Sequence, residues 1–86
     1  MTTESGQVRV RFFARYAELL GRADIELTLG EPTTVGDLVR RIRAELPGGH
    51  DLPERPLAAV NLRQARPDAP VQPGDELALL PPLAGG

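Results

Sequence analysis

The first part of the chain alternates between apolar and polar side chains. Val8, Val10 and Phe12 are separated by arginines, and this period of two predicts a half-buried β-strand. Phe13 falls on the arginine side of the alternation, so we expect its side chain to point away from the core. Residues 25–29 repeat the alternation and predict a second strand, antiparallel to the first.

Two other stretches have helical spacing. Apolar side chains within residues 16–20 predict a short helical turn that ends at Gly21. A longer pattern begins after Thr33 or Thr34, either of which can cap a helix, and Asp37 follows Thr34 at the spacing of a capping box. The apolar face of this longer helix consists of Val35, Leu38, Val39, Ile42 and Leu46.

The arginines of the longer helix lie off its apolar face. We expect Arg40, Arg41 and Arg43 to be solvated, although a surface for an acidic partner is the alternative. They fall in the C-terminal half, where the helix dipole favours cations. Pro47 and Gly48 are predicted to end the helix.

The remainder of the chain is rich in proline and glycine and contains two short apolar segments. Residues 47–56 predict a loop without regular structure, and residues 63–70 a polar, turn-like connection. Residues 57–61 predict a short, nearly all-apolar strand. Residues 76–80 predict the last strand, with a turn at residues 73–75 before it.

The order strand, strand, helix, strand, strand predicts an α+β domain with two layers. One main helix would pack on a mixed sheet of four to five strands. In this order the last strand commonly returns beside the first, which gives the ubiquitin-like β-grasp topology. We therefore expect a β-grasp domain over residues 1–80 and a flexible C-terminal tail over residues 81–86.

Length, charge and cysteine content narrow the functional classes. The chain has 86 residues, enough for one domain, and a net charge of −2, so it has no basic field to hold nucleic acid. It has no cysteine, and its single histidine, His50, lies in a predicted loop, so we predict no metal ligands. No apolar run is long enough to cross a membrane, and the first residues do not resemble a signal peptide. We expect a cytoplasmic protein.

All ten basic residues are arginine, so the only primary amine is the N-terminus. Such a chain could be attached to another protein's lysine. It could not build lysine-linked chains on itself.

The segment from Pro81 to Gly86 carries the chemistry. Two prolines after a strand stop sheet pairing and direct the chain off the domain. We expect the tail to thread into a partner through Pro81, Pro82, Leu83, Ala84 and Gly85. Glycines without Cβ atoms pass a narrow channel, and the carboxylate of Gly86 is sterically open. That carboxylate can attack the α-phosphate of ATP in another enzyme, and a sulfur nucleophile can then displace AMP and leave a thiocarboxylate.

The chain resembles the ubiquitin-like sulfur carriers, and within them the small subunits of molybdopterin synthase. The resemblance rests on VRFFARYAELLG at 10–21, TVGDLVRRI at 34–42, LAAVN at 57–61 and PGDELALLPPLAGG at 73–86. These segments cover most of the chain, and the ending PPLAGG after a GDE turn is the most specific of them.

The resemblance implies partners and a pathway. An adenylating enzyme related to ubiquitin-activating enzymes would activate Gly86 with ATP, so the chain would bind no cofactor itself. A sulfurtransferase or cysteine desulfurase would supply sulfur. The tail would then enter the catalytic large subunit of molybdopterin synthase and donate sulfur to the cyclic pterin precursor. The chain would therefore act as a sulfur-donating subunit and not as a catalyst alone.

A docking patch is also expected beside the tail. If the first and last strands are neighbours, Phe13 and Leu80 meet on the exposed sheet face, where grouped apolar residues indicate a partner surface. The resemblance implies that the positions of Phe13 and Leu80 contact partners. A third position of that patch is apolar in familiar members and is Gln64 here. The alternative for Phe13 is packing under a loop of its own domain.

Other functions remain open. The same tail chemistry could serve tRNA thiolation, thiamine thiazole synthesis or cysteine synthesis. A ubiquitin-like protein modifier would form isopeptide bonds through Gly86. A plain β-grasp interaction module would use no tail chemistry, and deletion of Gly86 would leave its binding unaffected.

Overall fold

A mixed β-sheet with one main helix across its inner face forms the domain. The computed structural model describes residues 6–82, and the predictions for residues 1–5 and 83–86 lie outside its description. The strands are β1 (Gly6–Phe12), β2 (Asp24–Leu29), β3 (Thr33–Thr34), β4 (Leu57–Val60), β5 (Arg63–Ala65), β6 (Pro70–Val71) and β7 (Glu76–Leu80). The helices are α1 (Arg15–Leu20), α2 (Val35–Glu45) and one 3₁₀ turn at Gly49–Asp51.

The main sheet has five strands in the order β2-β1-β7-β4-β5. β1 is antiparallel to β2 and parallel to β7, with Val10 opposite Leu77 and Phe12 opposite Leu79. β7 is antiparallel to β4, and β4 to β5. The predicted α+β, ubiquitin-like β-grasp class and the pairing of the first strand with the last are both confirmed.

The core lies between the sheet and α2. The inner face of the sheet supplies Val8, Val10, Phe12, Ile25, Leu29, Ala58, Leu77 and Leu79, all less than 9% exposed. The buried face of α2 supplies Val35, Leu38, Val39 and Ile42, as the helical spacing predicted. Burial of this apolar surface is the main favourable term in folding a domain of this size.

The helix α2 begins after one of the two threonines that the sequence predicted as its cap. Thr34 is the N-cap, and its hydroxyl oxygen accepts a hydrogen bond from the Asp37 amide at 3.1 Å. Such a cap contributes about 1 kcal/mol to helix stability. The Asp37 carboxylate pairs with Arg40 one turn later.

Two arginines of α2 are more engaged than the sequence predicted. Arg41 donates to the carbonyl oxygen of Thr28 at 2.9 Å, and Arg43 donates to that of Leu52 at 2.8 Å. The expectation that both side chains are simply solvated is wrong, because each reaches a backbone carbonyl of a neighbouring segment. Arg40, whose side chain is 73% exposed, is the solvated member.

Residues 47–56 were predicted to lack regular structure, and this is wrong over Gly49–Asp51. Gly48 has a left-handed φ of 82° and begins the 3₁₀ turn, after which Leu52 is 1% exposed in the core. The turn packs on α2 and α1. A single apolar residue between prolines has no periodicity, so the sequence did not indicate that this loop contributes to the core.

Residues 63–70 were predicted as a turn, but they contain β5 and the first residue of β6. β5 is an edge strand paired on one side only, and Arg63 and Gln64 are exposed, so it lacks the apolar alternation that identifies a half-buried strand. β6 pairs with β3 in a separate two-stranded sheet. Its two residues are too few to carry a pattern.

Two glycines with similar backbone conformations test the close packing of the 3₁₀ turn. A Cβ at Gly48 would collide with the carbonyl oxygen of Leu19, whereas a Cβ at Gly21, whose φ is 72°, would meet nothing within 4 Å. Both Gly→Ala substitutions force alanine into the left-handed region, at a cost of about 1–2 kcal/mol. We expect Gly48→Ala to lower the free energy of unfolding in urea by at least about 1 kcal/mol more than Gly21→Ala. Equal losses would contradict the close approach of the turn to α1.

Candidate functional site

The outer face of the sheet, opposite α2, carries a row of apolar side chains across one end. Leu57 of β4 is paired with Leu80 of β7, and the register of β1 with β7 continues so that Phe13 follows beside Leu80. The Phe13 amide donates to the Leu79 carbonyl oxygen at 3.3 Å. Phe13 is 38% and Leu57 46% exposed, and Leu80 is half-buried. We call Phe13, Leu80 and Leu57 the apolar row.

Two residues further along each strand, a second row crosses the same face. Arg11 lies opposite Ala78, Ala78 opposite Ala59, and Ala59 opposite Gln64. The structure therefore places Gln64 on the same face as Phe13 and Leu80. It lies nearer to Leu80 than to Phe13, because only β4 lies between β5 and β7, whereas both β4 and β7 lie between β5 and β1.

The rest of the outer face is charged. Arg9 contacts Glu26 at 3.0 Å and Asp24 at 3.8 Å, and Arg11 contacts Glu76 at 3.6 Å. These side chains are roughly half exposed, so each pair contributes about 0–1 kcal/mol. Together they form a charged part of the face, made by β1, β2 and Glu76 at the start of β7, and leave an uncharged part at the end of β7 and on β4 and β5.

Arg11 lies at the boundary between the charged and the uncharged part of the outer face. Its guanidinium carbon lies 5.5 Å from the centroid of the Phe13 ring, within cation–π range. The ring is therefore held over the outer face beside Arg11. The alternative that Phe13 packs under a loop of its own domain does not match this position.

A groove opens next to the apolar row. Its volume is about 320 Å³, and it is lined by Leu57, Ala58, Ala59, Gln64, Leu80 and Pro81. We call it the exit groove, because Pro81 is the first residue after β7. Among residues 6–82, no charged side chain lines it, and the amide of Gln64 is the only polar side-chain group in its lining.

The tail starts at this groove. Pro81 is half-buried and Pro82 exposed. Leu83, Ala84, Gly85 and Gly86 lie outside the described residues, so their predicted roles remain predictions.

Leu57 is the residue of this surface that the sequence did not single out. In the segment LAAVN nearly every side chain is apolar, so alternation could not separate its inner from its outer face. The structure separates them, because Ala58 is 3% exposed in the core while Leu57 points outward.

A second cleft lies on the α2 side of the domain. It has a volume of about 460 Å³ and is lined by Thr34, Gly36, Arg40, Arg43, Glu54, Arg55, Pro67 and Asp68. Arg40 pairs with Asp37, and Arg43 lies 3.9 Å from Glu54. Both arginines are thus matched by carboxylates in the domain itself.

Asn61 stabilises the turn between β4 and β5. It occupies the turn between β4 and β5 with φ of 51°, its amide nitrogen donates to Asp75, and its amide oxygen accepts from the Glu76 backbone at 3.0 Å. These bonds tie the turn to the start of β7.

We also considered metal ligands, the single histidine and membrane-spanning helices in the part of the chain that the structure describes. Residues 6–82 contain no group of three or more histidine, aspartate or glutamate side chains placed to hold a metal ion. The side chain of His50 is 79% exposed beside Asp51. No helix within the same residues has the length and apolar character needed to span a membrane.

Comparison with known proteins places the chain in a family. The model of the ThiS family matches residues 10–86. The chain is 31% identical to the molybdopterin synthase sulfur carrier subunit of Arabidopsis thaliana, over 98% of this chain and 88% of that protein. It is 32% identical to the protein of the same name from Chlamydomonas reinhardtii, over 93% and 99%.

Solved structures show the same fold. SAMP1 from Haloferax volcanii superposes with a TM-score of 0.79 at 27% identity, over 94% of this chain and 100% of that one. A complex of subunits 1 and 2 of the molybdopterin-converting factor from Helicobacter pylori contains a chain that superposes with a TM-score of 0.65 at 26% identity, over 93% and 99%. With a family match that covers most of its length and this β-grasp architecture, the chain belongs to the ThiS family.

Proposed function

We propose that this protein is a sulfur carrier that serves as the small subunit of molybdopterin synthase. In this proposal the Gly86 carboxylate is adenylated, converted to a thiocarboxylate, and used to donate sulfur to the cyclic pterin precursor of the molybdenum cofactor. The protein itself supplies the reactive terminus and the docking surface.

The observation that carries the proposal is the position at which the chain leaves the domain. β7 ends at Leu80 within the apolar row, and Pro81 follows directly at the exit groove. A partner that takes the tail therefore meets an uncharged surface with exposed apolar side chains at the point of exit. Such a surface on a small soluble domain indicates a protein contact.

The family match supports the tail chemistry. It extends to Gly86, so the Gly-Gly ending lies within the matched region. Relatives that match nearly the whole chain are named sulfur carrier subunits of molybdopterin synthase. These names favour the pterin precursor as the acceptor.

The proposed steps need no side chain of this protein as a catalyst. A Gly86 carboxylate oxygen attacks the α-phosphate of ATP, and pyrophosphate leaves. Hydrosulfide then attacks the acyl carbon, so that a C–S bond forms, the C–O bond to the phosphate breaks, AMP leaves and the deprotonated product is the thiocarboxylate. If the donor is an enzyme persulfide, the same attack gives an acyl disulfide, and a thiol then reduces its S–S bond to release the thiocarboxylate. The absence of Cβ atoms at Gly85 and Gly86 lets both carbonyl groups be approached closely within a narrow channel.

Three partners follow from these steps. An adenylating enzyme related to ubiquitin-activating enzymes supplies bound ATP, and a sulfurtransferase or cysteine desulfurase supplies sulfur. The large subunit of molybdopterin synthase receives the loaded tail, and the two-subunit complex from Helicobacter pylori supports this pairing. Because activation consumes ATP, we expect these encounters in the cytoplasm.

Attachment to other proteins is the second candidate function. The likeness to SAMP1, a small archaeal modifier protein, favours it. It requires the same adenylated Gly86 but an amine acceptor, so that an isopeptide bond forms and AMP leaves. Since all ten basic residues of this chain are arginine, the product would be a single tag and not a lysine-linked chain.

Mass spectrometry tests the carrier function directly. The protein is incubated with ATP, the adenylating enzyme encoded in the same genome and a sulfur donor. We expect a mass gain that corresponds to replacement of one oxygen by sulfur, located at the Gly86 carboxyl. The Gly86 deletion is the control and should gain nothing. An unchanged wild-type mass, with an enzyme that forms the adenylate on a known carrier, would overturn the proposal.

Two adjacent phenylalanines separate the docking role from the folding role. Phe12 is 3% exposed, so Phe12→Ala should lower the free energy of unfolding by about 3–5 kcal/mol. Phe13 is largely outside the core, so Phe13→Ala should cost about 1 kcal/mol, mainly its contact with Arg11. The same Phe13→Ala protein should bind the adenylating enzyme or the large subunit at least about tenfold more weakly, as expected for a central aromatic contact. Unchanged affinity in calorimetry would remove Phe13 from the docking surface.

A further inference from the structure

The exit groove has a feature that the folding of the domain does not explain. Leu57 leaves 46% of its surface exposed at the start of β4, in register with Leu80. It faces away from the core on a sheet face whose other end is covered by ion pairs. Together with Leu80 and the groove beside it, this exposed leucine forms a contiguous apolar surface of the kind that marks a contact with a partner.

The identity of that molecule follows from the tail. Pro81 lines the groove and is also the first residue of the tail. The five residues that follow Pro81 span at most about 17 Å when extended, at about 3.4 Å each. A protein that encloses the Gly86 carboxylate in a channel must therefore approach Pro81 to within that distance. A channel that encloses the whole tail has its rim at Pro81, and therefore at the exit groove that Pro81 lines.

The lining of the groove restricts the chemistry of the contact. The groove favours an apolar side chain and would disfavour a charged one, because its lining within the described part of the chain has no charged residue to compensate the burial of a charge. The apolar lining consists of Leu57, Ala59, Leu80 and Pro81. Gln64 adds a second requirement. When the groove is covered, its amide loses water, and an unsatisfied buried amide lowers affinity by about tenfold.

We propose that the exit groove is a specificity pocket for the protein that receives the tail. The pocket takes one apolar side chain from the rim of the channel, and it requires an adjacent hydrogen-bonding atom for the Gln64 amide. Leu57 is the apolar contact, and Gln64 distinguishes partners with that polar atom from partners with a wholly apolar rim. This inference rests on the proposed function, since it assumes that the tail is received by a partner.

A matched pair of leucines tests the apolar contact. Leu57→Ala shortens the groove wall, whereas Leu62→Ala shortens a leucine that is 87% exposed in the turn at the other end of β4. The probe is the purified large subunit of molybdopterin synthase from the same genome, titrated with each carrier in a calorimeter. We expect Leu57→Ala to raise the dissociation constant at least about fivefold and Leu62→Ala to change it less than about twofold. Thermal unfolding of both variants checks that they are folded.

Gln64→Leu tests the polar requirement in the same titration. The substitution keeps the size of the side chain and removes its amide. If the large subunit offers a hydrogen-bonding atom, that atom loses its partner, and we expect affinity to fall about tenfold. Gln7→Leu, an exposed position on the charged part of the face, is the control and should have no such effect. A gain in affinity for Gln64→Leu would overturn the polar requirement.

The outcomes separate this inference from the proposed function. If the mass gain at Gly86 occurs and Leu57→Ala binds as well as the wild type, the specificity pocket is wrong and the carrier function stands. If the mass gain does not occur and the large subunit does not bind the wild type, both are wrong. Weaker binding by Leu57→Ala and Gln64→Leu, with both controls unchanged, supports the pocket.

Discussion

The parallel pairing of β1 with β7 is the contact on which the rest of the structure depends. It joins the first and last strands of the sheet and places both in its interior, between β2 and β4. Val10 and Leu77, opposite each other in this pairing, are both fully buried beneath α2. The pairing connects residues far apart in sequence, so the chain must close a long loop before the contact forms. In return, one register determines both the core on the inner face and the apolar row on the outer face.

Most of this arrangement could be predicted where a side-chain pattern repeats. The alternation in β1 and β2 and the spacing in α2 each extend over several residues, and each element lies where the pattern indicated. β5 and β6 were missed because an exposed edge strand and a two-residue strand carry no alternation. Arg41 and Arg43 were misjudged because a hydrogen bond to a distant carbonyl depends on tertiary packing.

The candidate site was predictable in part for the same reason. Phe13 breaks the apolar alternation of its strand, so its outward position could be inferred from the sequence alone. Leu57 lies in an all-apolar strand, where no alternation distinguishes the inner face from the outer face. Its exposure becomes visible only when the pairing with Leu80 assigns the two faces. Gln64 could be named from a resemblance. Its position across from Ala59, at the groove where the tail begins, required the register of β4 with β5.

The small size of the apolar row has a consequence for the proposed function. A carrier whose tail is first activated by one enzyme and then used by another must leave the first before it meets the second. A large hydrophobic interface would hold one partner too long, because obligate interfaces are both wide and apolar. Three apolar side chains bordered by ion pairs provide a small contact whose affinity can remain moderate. Selectivity must then come from a few well-placed groups rather than from area, because discrimination is a difference between affinities. A polar amide in an otherwise apolar groove is such a group, since it adds little affinity for the right partner but penalises a partner that leaves it without a hydrogen bond.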